Sequence, residues 1–236
     1  MPKIQTILRR NFESVQHRME RACRVCGRSP TDVQLVAVTK YAEWPWVQAL
    51  SEFHSTFGES RPQQLAERQP QLPDLQWHLI GRLQRNKARL AVKHAAVIHS
   101  VDSLRLLERL NVLAQESNRT LQVLLQVNVA GEASKSGFDP GSLPESWETI
   151  VKSAGTRLKL IGLMTMAPQS DSPEAARPVF AELAALRQQL NVRSGRAELT
   201  ELSMGMSSDF EVAIEEGATL IRIGSSLFDG LEAEDQ

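Results

Sequence analysis

The sequence predicts a single (β/α)8 TIM-type barrel with one extra helix at its N-terminus, and three observations lead there. Eight short β-like runs alternate with helix-like segments, the pattern of right-handed βαβ crossovers and a parallel sheet. Several of those runs are apolar throughout, as strands buried on both faces must be. Eight such units in 236 residues match the roughly 250 usual for this barrel. A doubly wound open sheet is the competing arrangement, and no glycine-rich dinucleotide fingerprint supports it.

The elements follow in order. Ile4, Leu8, Phe12, Val15, Met19, Ala22 and Cys26 recur at spacings of three and four, the stripe of an amphipathic helix stopped by Gly27. Strands are expected at 33–39, 55–59, 77–81, 96–100, 121–129, 158–164, 199–204 and 219–224. Helices are expected between them at 44–53, 63–69, 84–93, 103–116, 143–153, 174–190 and 209–216. QSDSPEAARP (169–178) is the one Pro/Ser-rich break. It reads as a strand-to-helix loop with a helix start at Ser172-Pro173, since proline suits a first helical turn. No low-complexity linker divides the chain, so residues 1–236 read as one domain, with 1–27 as a packing helix.

Composition narrows the function classes. With 27 basic and 28 acidic residues the net charge is -1, which gives no global attraction to nucleic acid or an anionic membrane. There is no signal-peptide core and no stretch near the roughly 20 apolar residues of a membrane span, so a cytoplasmic location is expected. Cys23 and Cys26 form CRVC, but no second pair completes a metal site. They read as two small apolar residues on a helix. His17, His54, His94 and His99 show no metal or triad spacing, and His78 in the third strand reads as a hydrogen-bonded core residue.

The chemistry is expected in loops at the C-terminal ends of the strands. Lys40 ends the run VQLVAVTK. A lysine desolvated there has a depressed pKa and a neutral amine able to form an imine with an aldehyde. The alternative is a rim lysine with its head in water, and position alone does not separate the two. After strands seven and eight come SMGMSSDFEVAIEEG (203–217) and RIGSSLF (222–228), short Gly/Ser turns where such barrels commonly hold a phosphate. Gly205, Ser207 and Gly224 lie in these turns. Each has a purely structural alternative: Ser208 with Glu211 fits a capping box, Ser207 fits an N-cap, and the glycines fit turns.

An amine and two phosphate turns converge on a ligand carrying both aldehyde and phosphate, and pyridoxal 5′-phosphate meets both demands. Arg222 lies in the apolar run TLIRIG, where a guanidinium needs a reason. Facing a pyridine nitrogen, it would keep that nitrogen unprotonated. An ion pair with Glu59 or Glu201 is the alternative.

These residues resemble the pyridoxal phosphate homeostasis (YggS/PROSC) family. The likeness is carried by VAVTK (36–40), FGES (57–60), WHLIGRLQRNK (77–87), IHSVDS (98–103), VNVAGEASKSGF (127–138), GLMTMAP (162–168), LSMGMSSDFEVAI (202–214) and IRIGSSLFDG (221–230). It implies a fold-type III barrel like the N-terminal domain of alanine racemase, with Lys40 as the aldimine lysine. It also implies Arg222 beside the pyridine nitrogen, and phosphate contacts at Ser203, Gly205, Gly224 and Ser225. The implied role is non-catalytic: buffering the cofactor or delivering it to apo-enzymes, with effects on amino-acid and keto-acid pools. Ser60 stands where the family often has asparagine, so it is carried over as a ring contact made through a shorter hydroxyl or water.

Amino-acid racemisation is the alternative function. It needs a second acid/base opposite the lysine, yet the only tyrosine, Tyr41, adjoins Lys40. Successive strand residues point to opposite faces, which places Tyr41 poorly. Lys135, in a polar Gly/Ser loop, and Lys93 are rival imine candidates. Arg82, Arg85, Lys87 and Arg89 form a basic cluster that reads as a solvated helix face rather than an RNA contact, since no aromatic residues interleave. Asn86 and Lys87 could instead brace the barrel mouth. An isolated barrel of this kind is expected to be a monomer.

Overall fold

The computed structural model describes residues 2–132, 136–194 and 199–231. Eight parallel strands close into a barrel in sequence order, β1 (Gln34–Val38), β2 (Thr56–Glu59), β3 (Gln76–Leu79), β4 (Val97–Val101), β5 (Leu121–Gln126), β6 (Leu158–Met164), β7 (Glu201–Ser203) and β8 (Leu220–Ile223). Pairing of Gln34–Ala37 with Leu220–Ile223 closes the circle. All eight expected strands are present. The fifth is shorter than its apolar run: Val127, still donating to the Met164 carbonyl at 2.8 Å, also bridges Phe138.

Strand alternation sorts side chains into two layers. Val36, Val97, Leu124, Met164 and Leu220 fill the barrel interior, with Ile80, Ile161 and Met166 packed on them. Leu35, Ala37, Phe57, Trp77, Leu79, Ile98 and Leu202 point outward into the larger core beneath the helices. Phe57 and Trp77 stand 5.3 Å apart between ring centroids on neighbouring strands. Burying a side chain of that size contributes about 2 kcal/mol or more.

The helices are α1 (Pro2–Val25), α2 (Trp44–Ser51), α3 (Pro62–Arg68), α4 (Ala88–His94), α5 (Leu104–Glu116), α6 (Trp147–Ala154), α7 (Arg177–Ser194), α8 (Phe210–Glu215) and α9 (Ser225–Phe228). The fourth starts later than expected because Arg85–Lys87 forms a 3-10 turn. The seventh is preceded by a 3-10 turn at Pro173–Ala176 that Ser172 opens.

Helix α9 has only four residues and covers little of the strand before it. Helix α1 covers that seam instead, packing on α2, α8 and α9 through Leu8, Val15, Met19 and Cys23. Gly27 ends it with φ +70°. Polar contacts fix its position. Asn11 Nδ2 donates to the carbonyls of Leu227 (3.1 Å) and Asp229 (2.8 Å), and Arg18 pairs with Glu211 at 2.7 Å. Arg28, just past the helix, donates to the carbonyls of Ile214 and Ala218 at 2.8 Å each, capping α8.

Candidate functional site

Lys40 stands two residues past β1, at the C-terminal end of the barrel. The chain turns there, and the Ala42 N–H donates to the Thr39 carbonyl at 3.0 Å, so Lys40 and Tyr41 form the turn's tip. Lys40 is exposed, with its Nζ 4.8 Å from the centre of the Tyr41 ring. Of the two arrangements the sequence left open, the structure shows the rim lysine: the strand's apolar run stops at Val38, and the lysine rises clear of it. Lys93 lies on α4, in the segment feeding the N-terminal end of β4, so it belongs to the opposite end of the barrel. Lys135 lies outside the described residues.

The two Gly/Ser turns meet at the same end. The Ser226 N–H donates to Ser207 Oγ at 3.5 Å, which joins the turn after β7 to the turn after β8. Ser207 and Gly224 are half-buried, and Ser225 is exposed. Gly205 has φ +91°, and a Cβ there would come within 2.6 Å of Ala213 Cβ and 2.9 Å of Phe210 Cα, so only glycine fits. A Cβ on Gly224 would sit 3.3 Å from the Val38 carbonyl, which places this turn directly against the strand that leads to Lys40. Ser60 is half-buried just past β2, its backbone against Gly81.

The expected capping box does not form. Ser208 is exposed, Asp209 is the N-cap of α8, and Glu211 is drawn away to Arg18. Asp209 Oδ1 instead accepts from the Met206 N–H at 2.6 Å and fixes the turn. Burial pushes the Asp209 carboxyl up from its usual range, against the pull of that N–H and of Arg222.

Beneath the turns Arg222 points into the barrel, almost fully buried. Its Nη1 donates to Ser203 Oγ at 2.7 Å and its Nη2 to the Thr165 carbonyl at 2.9 Å. Burial pulls the guanidinium down to about 10, with Asp209 opposing. The anticipated ion pair is absent. Glu59 points outward to Arg68 at 2.6 Å, and Glu201 accepts from the hydroxyls of Thr200 (2.9 Å) and Thr219 (2.6 Å). A guanidinium offers five N–H donors in a fixed fork, and both groups it bonds here are neutral, with Asp209 the nearby opposite charge.

Ser203 is set apart from the other phosphate candidates. It is fully buried, and its Oγ lies between Arg222 and His99 Nδ1, 2.7 Å from each. His99 Nε2 in turn meets His78 Nδ1 at 2.9 Å. Arginine can only donate, so the Ser203 hydroxyl accepts from it and donates to His99 Nδ1, and His99 Nε2–H then donates to His78 Nδ1. Both imidazoles are neutral. Burial pushes His78 down to about 4, and burial with the nearby His78 and Arg222 pushes His99 well below the usual imidazole range.

His99, Asp209 and Arg68 are the residues that sequence reading missed. His78 and His99 share the inward parity of adjacent strands, and that parity was the available signal. Arg68 carried no local signal at all. Cys23 is buried and Cys26 half-buried on α1, as two small apolar residues would be. No group of metal-ligating side chains and no helix long and apolar enough to cross a membrane occurs among the described residues. Arg82, Arg85 and Arg89 are exposed, and Arg89 pairs with Glu116.

Comparison with known proteins agrees with this layout. Residues 10–231 match the family described as "Alanine racemase, N-terminal domain". The chain is 39% identical over 220 residues to the pyridoxal phosphate homeostasis protein of Aquifex aeolicus, covering 91% of this chain and 94% of that one. It is 40% identical over 224 residues to the protein of that name in Pseudomonas aeruginosa, covering 92% and 93%. The structure of PipY from Synechococcus elongatus with PLP bound superposes with a TM-score of 0.78 at 37% identity, over 89% of this chain and 99% of that chain. By sequence and by fold together, the chain belongs to the pyridoxal phosphate homeostasis protein family.

Proposed function

We propose that this protein binds pyridoxal 5′-phosphate through Lys40 and keeps it in reserve, buffering it or handing it to apo-enzymes, without turning over a substrate of its own. One observation carries the reading. An exposed primary amine, two joined Gly/Ser turns and a buried arginine with only neutral partners all gather at the C-terminal end of one barrel.

The residues fit the group. Bound there, the cofactor supplies an aldehyde for a primary amine and a phosphate for hydrogen-bond donors. Lys40 is the amine. Its turn adjoins Gly224, whose missing Cβ leaves backbone open beside Val38. Ser207 and Ser225, with the backbone at Gly205 and Gly224, hold the phosphate, and Ser60 borders the ring. Arg222 would be the group to meet the ring nitrogen, and its positive charge would disfavour protonation there. Ser203 holds Arg222 from below.

Fast racemisation is not part of this reading, since it needs a second acid/base opposite the lysine. Tyr41, the only tyrosine, is 81% exposed and shares the turn tip with Lys40. The His78–His99 pair is enclosed and committed to Ser203. A monomer acting in the cytoplasm completes the proposal, and both cysteines being thiols is in keeping with a reducing compartment.

The test is an absorbance spectrum of the protein with pyridoxal phosphate, followed by borohydride reduction and peptide mapping. Reduction should fix the label on Lys40, and Lys40→Ala should abolish it. A label that persists at another lysine refutes the assignment. Transfer of the bound group to an added apo-enzyme then separates a carrier from a sink.

A further inference from the structure

The turn that carries Lys40 is gripped from outside the barrel. Arg68, at the end of α3, lies between the strand and helix layers and is nine-tenths buried. Its Nη1 donates to the Thr39 carbonyl at 2.8 Å and its Nη2 to the Ala42 carbonyl at 2.7 Å. One guanidinium therefore holds both ends of the four-residue turn whose tip is Lys40 and Tyr41. Nη1 also donates to Glu59 Oε1 at 2.6 Å, and the Thr39 hydroxyl donates to the same oxygen at 2.6 Å. With its amide oriented to suit both neighbours, Gln64 donates to Glu59 Oε2 and accepts from Arg68 Nη2, at 3.1 Å each.

We propose that Arg68 and Glu59 are positioning residues for Lys40: the buried pair locks the turn so that the amine stands at the barrel mouth. The inference rests on the assignment of Lys40 to the cofactor. A buried ion pair is often no more stabilising than apolar residues of the same size, so stability alone does not account for this one. Its geometry does. The planar fork spans two carbonyls and a carboxylate at once, which the single ammonium of a lysine cannot match. Glu59 neutralises the arginine and aligns the Thr39 hydroxyl. An amine held in place gives up less freedom on forming a bond, so a rigid turn raises affinity for the aldehyde.

The experiment uses Arg68→Gln and Arg68→Lys, with Arg89→Gln as a matched loss of charge at an exposed pair. Two quantities are read: hydrogen exchange of the Ala42 amide in the ligand-free protein, and the affinity for pyridoxal phosphate with borohydride labelling mapped to Lys40. In Arg68→Gln the Ala42 amide should exchange at least ~10-fold faster and the affinity should fall roughly 10- to 100-fold, the scale of one lost charged hydrogen bond. Arg68→Lys should fall between, and Arg89→Gln should match the parent. If Arg68→Gln does not fold, Arg68→Lys decides through the same two readings. Unchanged exchange or unchanged affinity in a folded Arg68 variant overturns the inference alone. Failure of the parent protein to take label at Lys40 overturns the functional reading, and this inference with it.

Discussion

Replacing Ser203 with alanine separates two roles that one hydroxyl could play. As a phosphate ligand, Ser203 would face water in the ligand-free protein, and its removal would cost stability less than about 0.5 kcal/mol. The structure encloses it between two polar groups, each 2.7 Å away. Losing the bond to charged Arg222 costs about 2 kcal/mol, and losing the bond to His99 adds about 1. Only an oxygen is removed, so the cavity contribution is small. Ser203→Ala should therefore lower the unfolding free energy of the ligand-free protein by about 3 kcal/mol, a large share of the ~5–15 typical of a domain. Urea unfolding measures this as a lower midpoint at unchanged slope. Ser207→Ala is the matched comparison. Its one recorded contact is long, at 3.5 Å, so its stability should hold while affinity for pyridoxal phosphate falls. A loss below about 1 kcal/mol for Ser203→Ala would refute the buried chain.

Two further outcomes follow from the same geometry. Stability should depend on pH through His78 and His99. Both are held neutral when folded, so the unfolded chain binds more protons as pH falls. Stability present above the ordinary value of 6.5 is lost as pH drops from there towards about 4, amounting to about 3 kcal/mol for His78. Urea midpoints measured across that window check it, and a flat profile would remove the neutral pair. Gly205→Ala should cost about 3 kcal/mol, from a left-handed backbone and a contact at 2.6 Å that must be relieved. Unfolding of the ligand-free variant measures it, and a change below about 1 kcal/mol would show that the turn accommodates a methyl group.

Much of this was legible in the sequence. The eight runs could be found because strands buried on both faces are apolar without interruption, and the closed barrel then assigns each loop to an end. Lys40 and the Gly/Ser turns were readable for that reason. The surroundings of Ser203 were only partly legible. Leu202 faces the outer core, so its neighbour faces the interior, where the Ser203 hydroxyl meets Arg222 and His99. The exposure of Lys40 was not legible, because an apolar strand says nothing of the turn that follows it. Glu211 looked like a capping residue because local spacing favours that, and its partner Arg18 lies 193 positions away. The Glu59–Arg68 pair joins a strand to the end of a short polar helix, and no periodicity announces it.

The covering of the seam by α1 has a consequence for how the barrel closes. Helix α1, which precedes β1, packs on α8 and α9, which flank β8. Without them, the stripe of Leu8, Val15 and Met19 has no surface to rest on, and β1 lacks its β8 neighbour. Ring closure, burial of the stripe and joining of the two Gly/Ser turns thus depend on the same elements. The Asn11 contacts to Leu227 and Asp229 tie the first helix to the last turn. A truncated chain short of that point would leave Lys40 without its companions.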